Sequence, residues 1–199
     1  MLKRAFDIVF SAGWIIGFSP LLLVVAILVR LRLGSPVLFV QERPGLRAKP
    51  FRMVKFRTMT DARGPNGELL PDEQRLTAFG KFLRSTTLDE FPEMWNVLLG
   101  DMSVVGPRPL LMRYVSRYSP FQARRMEVKP GVTGWAQVNG RNSLTWEEKF
   151  ALDVWYVDHR TFWLDMKIVV MTFFKVFART GINSGEGKTM EEFWGNTKN

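Results

Sequence analysis

The chain has 199 residues, 28 Lys and Arg against 19 Asp and Glu, a net charge of +9, one histidine and no cysteine. Without cysteine, disulfides, thiolate zinc sites and thiol nucleophiles are excluded, and one histidine makes a transition-metal site or a general-base triad improbable. The length suits one domain of ordinary size beyond an N-terminal segment.

That segment comes first. An apolar stretch runs from Ile8 to Val29, long enough at about 1.5 Å per residue to cross a bilayer core of about 30 Å. It is too long for a signal peptide and no small-residue cleavage site follows it, so it reads as a retained anchor. Ser19-Pro20 falls near its midpoint. Pro20 lacks an N–H and crowds the carbonyl of Ile16, and the Ser19 hydroxyl can reach back to the Ile15 or Ile16 carbonyl. Lys3 and Arg4 flank one end, Arg30 and Arg32 the other. A straight span would send one basic pair outside, against the positive-inside tendency, whereas a helix that enters and returns keeps both inside. A kinked transmembrane helix is the alternative; the doubly basic flanks favour re-entry, with the break at Ser19 and Pro20.

Residues 1–60 hold ten Lys and Arg against Asp7 and Glu42, +8 of the total +9. Basic charge beside an apolar segment is what anionic membrane lipids attract. Nucleic acid is not the expected partner, because no nucleic-acid motif with interleaved aromatics follows.

Beyond Gly34, "PVLFVQ" (36–41) and "FRMVKFRTM" (51–59) read as strands of a hairpin turning at Pro44-Gly45. Residues 60–75 read as a polar Gly/Pro loop. Helices are expected at about 76–84, Asp89 to Leu99, 110–127, 146–158 and 162–178, the fourth started by the capping box "TWEE" (145–148). The last is apolar almost all round, which suits a helix packed on protein on one side and lipid on the other, or a buried core helix. The expectation is an α+β fold: a re-entrant membrane helix (1–33), then a mainly helical cytoplasmic domain (34–199) with a short β-hairpin and interfacial amphipathic helices.

The chemistry concentrates in "RSTTLDEFPEMWNVLLGDMSVVGPRP" (84–109). Asp89 and Glu90 precede Pro92, which fits only a first helical turn, so both carboxylates are expected at the positive end of a helix dipole, keeping Asp89 ionised. Alone, such acids are ordinary capping residues. Arg108, fixed between Pro107 and Pro109, presents a fork suited to phosphate oxygens, and Lys55 and Arg84 add two cations. Carboxylates with phosphate-binding cations suit Mg²⁺ and phosphoryl transfer, and an aspartate can itself be the nucleophile. A Mg²⁺-dependent lipid phosphatase or pyrophosphatase would use the same groups; a non-catalytic basic membrane-surface module would need none of them. His159 is lone and is assigned no role.

The segments "FSP" (18–20), "RPG" (43–45), "KFRTM" (55–59), "LDEFPEMWNVLLGDMSVVGPRPLL" (88–111) and "PGVTGWAQVNGR" (130–141), in this order and spacing, resemble the monotopic phosphoglycosyl transferases. The likeness covers nearly the whole chain and matches the minimal catalytic form. The resemblance implies transfer of a sugar-1-phosphate from a UDP-sugar to polyprenol (undecaprenyl) phosphate with release of UMP, at the cytoplasmic face of a bacterial inner membrane. It implies Asp89 as the covalent nucleophile, with Glu90 and Mg²⁺ in support and Asp89 and Glu90 holding the metal. Lys55, Arg84, Arg108 and Arg141 are implied for phosphate or nucleotide, with Gln137 and Asn139 beside Arg141. Asp165 matches an acidic position of unassigned role, and Ser19-Pro20 matches the family's helix break. The tail "GEGKTMEEFWG" (185–195) is similar to that of small members handling acetamido sugars. The sugar and the oligomeric state are left open.

Overall fold

One helix, α1 (Leu2–Leu33), runs through the whole apolar segment, Pro20 included. The structure is a computed structural model and describes residues 1–140, 143–178 and 192–195, without the side chains of 176–178. Pro20 leaves the Ile16 carbonyl without its helical donor, and the Ser19 hydroxyl donates to that carbonyl at 2.8 Å, which lowers the cost of the break.

The buried positions of α1 are Asp7, Ser11, Val25, Val29 and Leu33, three or four residues apart within each group and separated by whole turns between groups. One stripe of the helix therefore packs on the rest of the protein along two limbs. Residues 16–21, around the proline, are exposed on every side.

Each limb is tied by specific bonds. Lys3 Nζ donates to the Val105 carbonyl at 3.0 Å and to Asp165 at 2.6 Å. Arg4 donates to the carbonyls of Val97 and Leu98 at 2.6 and 2.8 Å; these close helix α4 (Glu93–Leu99), so the cation meets the negative end of a helix dipole. Asp7 Oδ1 accepts from the Ser103 hydroxyl at 3.0 Å and the Val104 N–H at 2.9 Å. At the other end Arg57 donates to the carbonyls of Leu33, Ser35 and Met59, satisfying the last carbonyl of α1 and tying its exit to the end of the hairpin.

Strands β1 (Leu38–Pro44) and β2 (Pro50–Phe56) form an antiparallel hairpin with Leu38 opposite Phe56 and Pro44 opposite Pro50. The expected turn at Pro44-Gly45 is displaced: β1 runs through Pro44, and the chain reverses over residues 45–49, where Arg47 and Ala48 both have positive φ. The end of the expected 60–75 loop is helical instead, as α2 (Asp72–Arg75), and α3 (Ala78–Ser85) follows, capped by the Thr77 hydroxyl. Gly80 of α3 lies on the Thr58 carbonyl so closely that a Cβ would stand 1.9 Å from that oxygen.

The helix expected over Asp89 to Leu99 divides into a 3-10 turn at Leu88–Glu90 and α4, with Pro92 as the cap. The helix expected over 110–127 is broken as well, into a 3-10 stretch (Met112–Arg117), α5 (Pro120–Ala123) and a further 3-10 turn (Arg124–Glu127). Pro120 cannot continue a helix from 117 but opens one, and Ser119 with Gln122 forms its capping box.

Two three-residue strands absent from the sequence reading, β3 (Ser103–Val105) and β4 (Gly131–Thr133), pair in parallel. Their backbones touch through glycine: a Cβ on Gly131 would lie 2.1 Å from the Gly106 nitrogen, and one on Gly106 2.4 Å from the Lys129 carbonyl oxygen. That contact fixes where Pro107-Arg108-Pro109 leaves the sheet. Helices α6 (Trp135–Asn139), α7 (Trp146–His159) and α8 (Phe162–Ala178) complete the fold, and the Thr145–Glu148 capping box starts α7 as expected.

The core lies where α1, α4, β2, β3 and α8 meet, around Met53, Val97, Met102, Val105, Tyr156 and Ile168. Helix α8 buries Asp165 and Ile168 and exposes Trp163, Val170, Phe173 and Phe174, so it is half-buried, with an apolar outer face. Near the C-terminus Phe193 is 2% exposed among Tyr114, Tyr118, Trp146 and Phe150, and Glu192 pairs with Arg113 and Arg117 at 3.0 Å each. Most of the tail motif of 185–195 lies outside the described residues.

The Asp7 ties give a stability prediction. Asp7→Ala strands two buried donors and is expected to cost about 2–4 kcal/mol, whereas Asp7→Asn keeps an acceptor oxygen and should cost roughly half that or less. Equal midpoints for both variants in chemical denaturation of the detergent-solubilised protein would refute this account.

Candidate active site

The acid pair stands on a strained turn. Thr87, immediately before it, has φ 56 and ψ 13, a left-handed conformation that a β-branched residue adopts only when its surroundings enforce it. The turn packs on α3 and β2, and its flanking apolar residues reach α1. Leu88 packs on the apolar cluster that Val25, Val29 and Leu33 of α1 form with Phe56 and Leu83. Phe91 makes edge contacts with Trp14 at 5.0 Å and Phe18 at 5.5 Å, on the first limb and its end. Asp89 and Glu90 thus lie between two apolar anchors on α1, one before Pro20 and one after it.

Glu90 is matched to cations. Lys55 Nζ, on β2, donates to its Oε1 at 3.0 Å, and Arg108 grips the carboxylate with both Nη atoms, one on each oxygen. Burial alone would raise the Glu90 pKa; Arg108 and Lys55 outweigh it and hold the carboxyl well below its ordinary range. The same pair raises the pKa of Arg108. Lys55 Nζ also lies 3.0 Å from Glu93 Oε1. Glu93 is 1% exposed, and burial together with the Glu90 charge pushes it up to about 7.

Asp89 is the opposite case. It is 8% exposed, and among the described residues its side chain accepts no hydrogen bond and makes no ion pair. Burial, reinforced by the adjacent Glu90 charge, pushes its pKa up to about 6. The expectation that a helix dipole keeps Asp89 ionised is corrected on this point: the acids precede α4 on a separate 3-10 turn, and the nearby cations are spent on Glu90. Neutral pH still leaves Asp89 mostly ionised, as a desolvated and unengaged carboxylate.

Arg108 is backed from behind. Its own carbonyl accepts from Arg125 Nη2 at 2.8 Å, and Arg125 is held by Asp153 of α7 through bonds of 2.6 and 3.0 Å, with both side chains 3% exposed. Sequence reading missed Arg125, Asp153 and Glu93. The spacing of Glu90 and Glu93 was a signal for the last, since residues three apart share a helical face; the Arg125–Asp153 pair, 28 residues apart, left none.

The remaining sequence candidates scatter. Arg84, at the end of α3, donates to the Thr58 hydroxyl at 3.0 Å and adds positive potential at Asp89. Asp165 lies away from the acid pair, bound to Lys3 and to the Tyr156 hydroxyl at 2.7 Å. Gln137 donates to the Val132 carbonyl and Asn139 to the Trp135 carbonyl, both local bonds around α6. Arg141 lies outside the described residues. His159 stacks on Trp155 at 4.4 Å.

Among the described residues no three His, Asp or Glu side chains converge as a ready-made metal cage. Mg²⁺ commonly takes only one or two carboxylates together with substrate phosphates. The unengaged oxygens of Asp89, with the lone pair left on Glu90 Oε2, fit that kind of site.

Residues 1–179 match the family described as bacterial sugar transferase. The chain is 53% identical over 195 residues to a Bacillus subtilis (strain 168) protein described as an uncharacterized sugar transferase, EpsL, spanning 98% of this chain and 96% of that one. It is 41% identical over 187 residues to a UDP-glucose:undecaprenyl-phosphate glucose-1-phosphate transferase of Klebsiella pneumoniae, and 37% over 197 residues to an undecaprenyl-phosphate galactose phosphotransferase of Salmonella typhimurium. The chain spans about 40% of the length of these last two relatives. With a match that takes in α1, the acid pair, the Pro-Arg-Pro segment and α8, the chain belongs to the bacterial sugar transferase family of phosphoglycosyl transferases.

Proposed function

We propose that the protein moves a sugar-1-phosphate from a UDP-sugar to undecaprenyl phosphate and releases UMP, through a phospho-sugar carried covalently on Asp89. The observation that carries this reading is the division of labour in the acid pair: Glu90 neutralised by Lys55 and Arg108, Asp89 buried and unengaged. A carboxylate stripped of hydrogen bonds is a better nucleophile than a hydrated one. An Asp89 oxygen attacks the sugar-proximal phosphorus, and the bond from that phosphorus to the bridging oxygen breaks, its electron pair leaving with UMP. A phosphate oxygen of the polyprenol then attacks the same phosphorus and returns the Asp89 carboxylate. Bound Mg²⁺, held by Asp89 and Glu90 with the diphosphate, would supply charge neutralisation. The relatives named above handle different sugars, glucose and galactose, so the sugar follows from neither.

The membrane disposition belongs to the same proposal. Both limbs of α1 pack on one domain, which supports a helix that enters and leaves by the same face, held there by anionic lipids at the basic flanks. From Pro20 to Leu33 a limb rises about 20 Å, less than the roughly 30 Å of a bilayer core. The vertex would lie in lipid and the acid pair at headgroup depth on the cytoplasmic face of the inner membrane, where a soluble diphosphate and a lipid phosphate can both reach Asp89. Replacing Ser19-Pro20 with Ala-Leu should drive the segment towards spanning. An N-terminal tag on the unmutated protein that is labelled by impermeant reagent from outside the cell would refute re-entry.

Enzyme with Mg²⁺ and a UDP-sugar, without lipid, should release a burst of UMP no larger than the enzyme concentration and gain the mass of one phospho-sugar, sensitive to hydroxylamine. Asp89→Asn should lose burst and adduct together, and Glu90→Gln should slow the adduct by roughly 10²-fold. UMP release that strictly requires lipid, with no adduct trapped, would favour direct transfer.

Burial and the adjacent Glu90 charge raise the Asp89 pKa to about 6 in the metal-free protein. The folded-state pKa exceeds the ordinary carboxylate value, so the stability linked to Asp89 is present in full below about pH 4 and is lost as pH rises to about 6. Asp89→Asn should therefore be more stable than the parent at pH 7.5, by roughly 2–3 kcal/mol in metal-free buffer, with little difference at pH 4. A lower melting temperature at pH 7.5 would contradict the assignment.

A further inference from the structure

At the end of β1, beside the Pro-Arg-Pro segment, stands a cation without a counter-ion. Arg43 donates from Nη2 to the neutral Gln41 Oε1 at 2.6 Å and from Nη1 to the Pro109 carbonyl at 3.4 Å. Its Nε is buried with no partner, and among the described residues no carboxylate pairs with it. Lys55, Arg108, Arg117 and Arg125 each have one. Burial and the neighbouring Arg108 charge hold the Arg43 pKa down to about 10. A half-buried guanidinium with an orphan donor, next to a second guanidinium, is a site that an anion completes.

The placement indicates which anion. Arg108 is spent on Glu90, so residues 107–109 carry one committed fork and, on the Pro109 carbonyl, one open fork. The charges that face Arg43 are Arg108 and Glu93, with the phenols of Tyr114 and Tyr118 beyond. No group of α1 is among them, whereas the acid pair is flanked by α1 on both sides. A lipid phosphate would arrive from the α1 side, and a soluble phosphate from the side of the hairpin.

We propose that Arg43 is a second phosphate-binding residue of the site, taking the nucleotide phosphate that departs as UMP. This rests on the sugar-nucleotide reading given above. When the bond to the bridging oxygen breaks, its electron pair stays on the leaving phosphate; Arg43 offers that phosphate two further N–H donors and a full positive charge, and no proton has to move.

UMP, uridine and undecaprenyl phosphate are the probes, titrated into the full-length protein in detergent micelles with Mg²⁺. Arg43→Gln should weaken UMP binding by roughly 10-fold to 10²-fold and leave undecaprenyl phosphate and uridine within about twofold, with Arg43→Lys in between because it keeps the charge and loses the fork. UMP binding unchanged in Arg43→Gln overturns the proposal. Selective loss of undecaprenyl phosphate binding overturns it too, by assigning Arg43 to the lipid. Equal weakening of all three with a lowered melting temperature makes Arg43 a structural tie between the hairpin and residue 109, which also overturns it. A parent protein that binds no UMP speaks instead against the sugar-nucleotide reading itself.

Discussion

Two carboxylates on consecutive residues cannot both be neutralised by the same two cations, and the site is built on that conflict. Lys55 and Arg108 are both spent on Glu90, so the cost of burying negative charge falls on its neighbour. Among the described residues Asp89 is left without a hydrogen bond, in a place that a carboxylate would not occupy unaided. The rest of the fold supplies the restraint that keeps it there: β2 for Lys55, the glycine contact between β3 and β4 for Arg108, and a left-handed Thr87 that sets the turn.

The same turn is where the apolar helix and the polar domain meet. Lys3, Arg4 and Arg57 look from the sequence like topological charges or surface basicity; in the structure they bond backbone carbonyls and hold the ends of α1 to the domain. These are two uses of one charge: a cation whose head is bonded at the foot of a helix also resists being drawn through lipid. Leu88 and Phe91 then join the acid pair to both limbs, so a displacement of either limb strains the turn that carries Asp89.

Much of this was legible where the signal is local. The capping box at Thr145 and the apolar run of 162–178 marked α7 and α8, and Pro20 with Ser19 foretold the freed carbonyl and its replacement donor. The break within 110–127 was missed although its signal is local, since Ser119-Pro120 followed by Gln122 is a helix start and not a helix interior. Strands β3 and β4 were not, because three residues carry no periodicity and their pairing spans residues 103 to 133. Of the site, the residue types and the bracketing prolines could be read, but the charge state of Asp89 could not. It depends on which carboxylate the cations choose, and that is settled by β2 and residues 107–109 arriving from elsewhere in the chain.

Behind Arg108 the Arg125–Asp153 pair is buried on both sides, and its consequence is evolutionary. Losing one member of a buried pair strands the other charge at a cost of about 3–5 kcal/mol, whereas exchanging both for apolar groups of similar volume is often neutral. Drift at either position alone must therefore pass through a sequence that folds poorly. Drift at both must also replace the donor that Arg125 gives to the Arg108 carbonyl. Two residues are thus bound to each other's history, on opposite ends of a 28-residue interval, by the backbone of one that grips Glu90.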